Sequence, residues 1–147
     1  MKAIDFVVSL EEPINGEDLI KRIEKIGRTC YKSEDKITSD SAGKFVSKII
    51  ELNHESVLEH EKITVRIICD RGVSHEIVRH RIGSYSQEST RYCNYMDDKF
   101  GNEITCIIPS FWKNDKQKMQ LWKSAMKEAE KKYFDLIKLG ATPQEAR

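Results

Sequence analysis

Residues 79–92, RHRIGSYSQESTRY, gather three arginines, a histidine and a run of hydroxyl side chains. Arginine is always charged and offers a planar fork of N–H donors. Hydroxyls complete such forks around phosphate oxygens. Arg79, Arg81 and Arg91 with Ser84, Ser86 and Ser89 therefore suit a phosphate-bearing ligand. On an ideal helix Arg79 and Arg81 would point about 200° apart, at roughly 100° per residue. Either the helix ends near His80, or the two arginines serve different ligands or subunits. Gly83, which lets the backbone turn, favours the first. The same residues also fit a solvated polar loop paired with Glu76 and Glu88.

Ser89 would need a base within hydrogen-bond reach to act as a nucleophile. The sequence identifies none, so Ser89 is read as a ligand-binding hydroxyl, His80 as a hydrogen-bonding neighbour, and no residue is assigned as catalytic. A second polar group, HESVLEH at 54–60, raises the question of a metal. Two ligands on one helix prefer i,i+4 spacing. His54 and His60 are six apart, on different helix faces, so His54, Glu59 and His60 are expected to be satisfied polar or ligand-contacting residues, and no metal site is expected.

These groups need elements to hold them. Residues 2–9, KAIDFVVS, read as a strand, and Leu19, Ile23 and Ile26 recur at helical spacing. Ser39 or Asp40 is placed to cap a helix with Phe45, Ile49 and Leu52 on one face. Residues 62–69, KITVRIIC, alternate like a strand, VSHEIVRHR forms a short helix, and EITCIIP is a strand stopped by Pro109. Met119, Trp122, Met126, Ala129, Tyr133 and Leu136 make one continuous apolar stripe, the mark of a long helix. Gly140 suits its C-terminal cap, and Pro143 suits the first turn of another helix. The expected fold class is α/β of the α+β type: a small sheet packed with several helices, one of them long.

Composition narrows the function. A chain of 147 residues suggests one domain, 1–147, with a sizeable core. Its 25 Lys and Arg against 24 Asp and Glu give a net charge of +1, so anion recognition must be local. A nucleic-acid-binding module built on the Arg/Tyr stretch is the weaker alternative, because such binding rests on neutralising many phosphates. Cys30, Cys69, Cys93 and Cys106 form no C-x-x-C pair, which argues against a zinc or disulfide framework. No apolar run approaches the roughly 20 residues of a membrane span, and the N-terminus does not read as a signal peptide. A soluble cytoplasmic protein is expected.

Arg79-His80-Arg81, seven residues and then Ser89 resembles the R-H-R-x7-S signature of the flavin-dependent thymidylate synthases (the ThyX family). HESVLEH resembles that family's H-x-[ST]-x-x-E-H element, SYSQESTRY its S-Y-[NS]-x-x-S-x-R-Y, and GATPQEAR its G-x-x-x-x-x-A-R; together they span about Gly27 to Arg147. The resemblance implies a homotetramer with sites shared between subunits. The reaction it implies is synthesis of dTMP from dUMP by reductive methylation, with FAD as hydride donor and with methylenetetrahydrofolate and NADPH as co-substrates. It implies that Arg79, His80, Arg81, His54, Ser56 and Glu59 contact FAD. It places Glu76, Gln87, Ser89, Arg91 and Arg147 at dUMP. Glu76 stands where many members have Gln, and Gln87 where others have Glu, so the pair trade roles or the local contacts differ. Members continue beyond this Ala-Arg, so a C-terminally truncated chain is expected, with Trp122, Met126 and Tyr133 partly uncovered. The alternative within the family is a catalytically incomplete flavin- or nucleotide-binding remnant.

Overall fold

A computed structural model describes all residues, Met1–Arg147. The fold class is α+β, as the sequence indicates. The chain divides into two compact units, one formed by Met1–Val7 with Ile67–Arg147 and the other by Val8–Arg66.

The 8–66 unit is built on two helices, α1 (Gly16–Thr29) and α2 (Ser41–Glu51). Asn15 caps α1, its side-chain oxygen accepting from Glu17 N at 3.0 Å. Ile23 on α1 and Ala42 and Ile49 on α2 are buried. The helices approach closely at Gly27, where a Cβ would stand 2.7 Å from the Phe45 ring and 2.9 Å from Val57. Beside it lies Glu24, only 1% exposed. Its carboxylate accepts from Arg28 Nε at 2.8 Å and Nη2 at 2.6 Å, and from Ser41 Oγ at 2.8 Å. A buried charge survives because these donors replace its hydration. Asp40 occupies the cap position of α2, as expected, but its side chain makes no capping bond. Ser41 Oγ instead accepts from Thr38 N at 2.9 Å. A six-residue 3₁₀ turn, Glu55–His60, follows α2.

In the unit containing residues 67–147, β1 (Lys2–Ile4) pairs in parallel with β4 (Thr105–Ile107), Ala3 opposite Cys106. Residues 2–9 are thus two strands rather than the single one expected. The break falls at Asp5, a poor strand former, whose carboxylate pairs with Lys113 Nζ at 2.6 Å. Beyond it β2 (Val7–Leu10) pairs with β3 (Val65–Ile68), a shorter strand than the expected 62–69. This ribbon leaves apolar side chains in solvent: Val8 is 60% exposed, and Leu10, Val65 and Ile67 are exposed as well.

Helix α3 (Arg71–Ile77) begins at Asp70, whose carboxylate caps Val73 N at 3.0 Å. The long helix α4 (Lys116–Lys138) carries the predicted stripe. Trp122 and Met126 are half-buried, as expected, whereas Tyr133 is buried. Its hydroxyl accepts from Tyr95 N at 3.3 Å, and the Tyr95 ring lies tilted against it at 5.9 Å. Tyr95 and its loop supply the cover that the stripe alone does not reveal. Glu130, on the same helix, binds the amino group of Met1 at 2.8 Å and Ile104 N at 2.8 Å, fixing the starts of both strands of the parallel β1–β4 pair. Gly140 takes φ +94°, and Ala141 N reaches back to Leu136 O at 3.0 Å, closing α4 as a Schellman cap. Helix α5 (Pro143–Ala146) starts on a capping box between Thr142 and Glu145. No helix is long and apolar enough to cross a membrane.

Candidate functional site

Helix α3 ends at Ile77, so Arg79, His80 and Arg81 lie in the turn after it, the first of the two arrangements the arginine spacing allowed. All three are exposed. Arg79 is 74% exposed and pairs with Glu76 at 3.0 Å. Such an exposed pair contributes little and leaves the guanidinium free to exchange partners. The tight turn at Gly83 has a local cause: a Cβ there would fall 2.5 Å from the Tyr85 hydroxyl.

The chain then folds back, and a polar cavity of about 240 Å³ forms against α3 and the C-terminal residue. Arg71 and His75 reach it from one face of α3, at i,i+4 spacing. Gln87, Ser89, Thr90 and Arg91 reach it from the loop, and Arg147 from the end of α5. Thr90 Oγ1 is the hub. It accepts from Arg71 Nη2 at 3.0 Å and from Arg147 Nη1 at 3.1 Å. Both lone pairs are then used, and the hydroxyl hydrogen is left to donate. Ser89 Oγ accepts from Arg91 N at 3.3 Å. Gln87 Nε2 donates to Ser74 Oγ at 2.8 Å, which leaves its carbonyl oxygen as an acceptor.

Glu88 is the one carboxylate lining the cavity, and its Oε1 is taken by the Tyr95 hydroxyl at 2.6 Å. Burial, with the hydrogen bond to Glu88 second, holds the Tyr95 phenol well above its usual range, so it stays a donor. Three guanidinium groups therefore face one engaged carboxylate. That balance favours a dianion.

Of the residues singled out from sequence, Gln87, Ser89, Arg91 and Arg147 are brought together here. Glu76, Arg79, His80 and Arg81 do not line this cavity; nor do Ser84 and Ser86. Arg71, His75 and Thr90 were missed. The helical spacing of Arg71 and His75, and the position of Thr90 between two polar residues of the motif, are the signals that could have found them. His54, Ser56 and Glu59 lie in the 8–66 unit, on and just before the Glu55–His60 turn, and all are exposed. His54 Nδ1 lies 3.4 Å from the Tyr31 hydroxyl. Burial pushes the Cys69 and Cys106 thiols up, away from thiolate reactivity.

Three arginines and two hydroxyls in one small cavity have the charge and the donors that a phosphorylated small molecule would need. Residues 15–147 match the model of a family described as thymidylate synthase complementing protein, and the chain belongs to that family. It is 38% identical over 117 residues to a flavin-dependent thymidylate synthase of Pyrococcus abyssi, covering 79% of this chain and 47% of that protein. A protein of the same name from Geobacter sulfurreducens is 35% identical over 127 residues, with 82% and 53% covered. One from Pyrococcus furiosus is 35% identical over 122 residues, with 82% and 49% covered. The chain thus spans about half the length of these relatives.

Proposed function

We propose that this chain takes part in the reductive methylation of dUMP to dTMP, with FAD as hydride donor, methylenetetrahydrofolate as carbon donor and NADPH as reductant of the flavin. The observation that carries the reading is the cavity where Arg71, Arg91 and Arg147 surround Ser89 and Thr90. A nucleoside monophosphate presents a dianion with three acceptor oxygens, and arginine forks match it in charge and shape. Thr90 has a hydrogen left to donate, and Gln87 has a carbonyl to accept the uracil N–H.

The exposed donors of Arg79, His80 and Arg81 fit the pyrophosphate of FAD, and His54, Ser56 and Glu59 fit the polar edge of its ring system. Bound reduced flavin supplies the hydride, which is chemistry the side chains lack. The side chains bind, orient and polarise. Holding the uracil in register is a proximity effect, and donors at its carbonyls stabilise charge that develops during transfer. Ser89 acts here as a binding hydroxyl. Glu76, which accepts from Arg79 at 3.0 Å, is assigned to the nucleotide by the family resemblance. The family resemblance supports a homotetramer with shared sites, a single 1–147 domain and a cytoplasmic setting.

The test is calorimetric titration of dUMP. Arg91→Ala should weaken binding at least tenfold, since a charged hydrogen bond is worth about 1.5–3 kcal/mol. Unchanged affinity would remove this cavity from the nucleotide site. dUMP-dependent NADPH oxidation then separates turnover from binding alone.

A further inference from the structure

Glu88 stands in a cavity with Arg71, Arg91, Arg147 and His75, yet it forms an ion pair with none of them. An arginine fork is ordinarily the strongest side-chain partner a carboxylate finds. Glu88 is bonded instead to a neutral group, the Tyr95 hydroxyl, at 2.6 Å. The two residues are close in sequence, but the donor is anchored elsewhere. The Tyr95 ring packs edge-on to Phe100 at 5.1 Å and lies tilted against Tyr133 of α4 at 5.9 Å, and Tyr95 N donates to the Tyr133 hydroxyl at 3.3 Å. Tyr133 is itself buried. The phenol is thus fixed by the long helix before it meets Glu88, so little further ordering is lost in making the bond. Burial first, and the bond to Glu88 second, keep the proton on the phenol.

A Glu88 carboxylate freed from Tyr95 has three guanidinium forks in the same cavity to turn to. Pairing with any of them would cancel one positive charge and cover N–H donors that an anionic ligand needs. We propose that Tyr95 is a positioning residue that tethers Glu88 away from Arg71, Arg91 and Arg147, and so keeps an internal carboxylate from competing with the phosphate of the ligand. The inference rests on the reading of this cavity as a phosphate site, and it adds a residue that does not line the cavity. Tyr95 touches no ligand; it acts through Glu88. It also lies beyond the arginine-rich stretch, which ends at Tyr92, so the motif residues depend on a group outside the motif.

The test is calorimetric titration of inorganic phosphate and of dUMP into the wild type, Tyr95→Phe, Glu88→Gln and the double variant. Phenylalanine keeps the ring contacts, and the bond to Tyr133 comes from the backbone, so the fold is retained. Tyr95→Phe should bind both anions about tenfold more weakly, the scale of one hydrogen bond to a charged group. In the Glu88→Gln background the same change should have no effect, because a neutral amide cannot neutralise a guanidinium. A crystal structure of Tyr95→Phe should show Glu88 paired with Arg71, Arg91 or Arg147. Equal losses in the two backgrounds would mean that Tyr95 only stiffens the loop, and they overturn the inference, as does unchanged affinity in the single variant. Phosphate binding that shows the Glu88-dependent loss, without dUMP binding, sinks the thymidylate reading and leaves the tether standing. dUMP binding that ignores Tyr95 sinks the tether and leaves that reading standing. A wild-type chain that binds neither anion overturns both.

Discussion

Arg71 and Arg147 donate to one oxygen, Thr90 Oγ1, at 3.0 and 3.1 Å, the first from the start of α3 and the second from the end of α5. Two like charges are held together by a neutral acceptor, which leaves their positive field unspent for a ligand. Thr90→Val keeps the shape and removes the acceptor. Each lost bond is worth about 0.5–1.5 kcal/mol. The loss of both, about 1–3 kcal/mol, should weaken dUMP binding about 5- to 150-fold in a calorimetric titration, with the urea midpoint almost unchanged because both arginines are exposed. Unaltered dUMP affinity would show that the shared hydroxyl does not organise the site.

Arg147 depends on α5, and α5 depends on Glu145. The Glu145 carboxylate accepts from Thr142 N and Thr142 Oγ1, both at 2.8 Å. Those bonds, the backbone one first, hold it below the usual glutamate value of 4.5. A carboxyl depressed in the folded state adds stability that is complete above the unfolded value and is lost as pH falls through the folded one. Glu145→Gln should therefore melt below the wild type at neutral pH, and the gap should close on acidification below about pH 4.5. A gap that is constant down to pH 3, in thermal melts followed by circular dichroism, would rule out the capping box as its source.

Much of this was legible in the chain. The apolar stripe of α4, the glycine cap at Gly140 and the first-turn proline at Pro143 are local signals, and the helices appear where they point. The motif residues Gln87, Ser89, Arg91 and Arg147 likewise converge. What stayed hidden depends on tertiary contact. Residues 2–9 split because their two halves pair with different strands, β4 and β3, and no local pattern states a partner. Tyr133 looked like one more member of a half-covered stripe, and it is buried because Tyr95 folds onto it. Arg71 and Thr90 were unremarkable alone and gain meaning only through each other.

Glu24 is predicted to be the residue on which the 8–66 unit most depends. It is 1% exposed and joins Arg28 of its own helix to Ser41 of the next. Glu24→Ala leaves the largely covered Arg28 without its partner, and breaking such a pair costs about 3–5 kcal/mol. Glu24→Gln keeps the shape and should cost less. Urea denaturation of both variants gives the comparison, and an alanine variant within 1 kcal/mol of wild type would refute the role (roughly the worth of a single hydrogen bond).

Arg79→Ala should separate the flavin from the nucleotide. The pair with Glu76 at 3.0 Å is exposed, so its loss should leave stability unchanged. A charge-assisted contact to the flavin pyrophosphate is worth about 1.5–3 kcal/mol, so FAD affinity should fall at least tenfold. The dUMP affinity of the apoprotein should hold, since Arg79 does not line the Thr90 cavity. Fluorescence titration of FAD measures the first and calorimetry the second; equal loss of both ligands would mean that the two arginine groups act as one site.

The β2–β3 ribbon, with Val8 more than half in solvent beside exposed Phe6, also bears on how the polypeptide behaves as a colloid. With a net charge of +1, long-range repulsion is nearly absent, and short-range apolar attraction is left to dominate encounters. The expected osmotic second virial coefficient is negative, and static light scattering against concentration measures it. Adding sulfate deepens the attraction, because the salt is excluded from the surface and favours burial. Moving the buffer away from the isoelectric point near 7.7 restores repulsion, so low salt and a pH one or two units off that value are the conditions in which dilute chains stay apart.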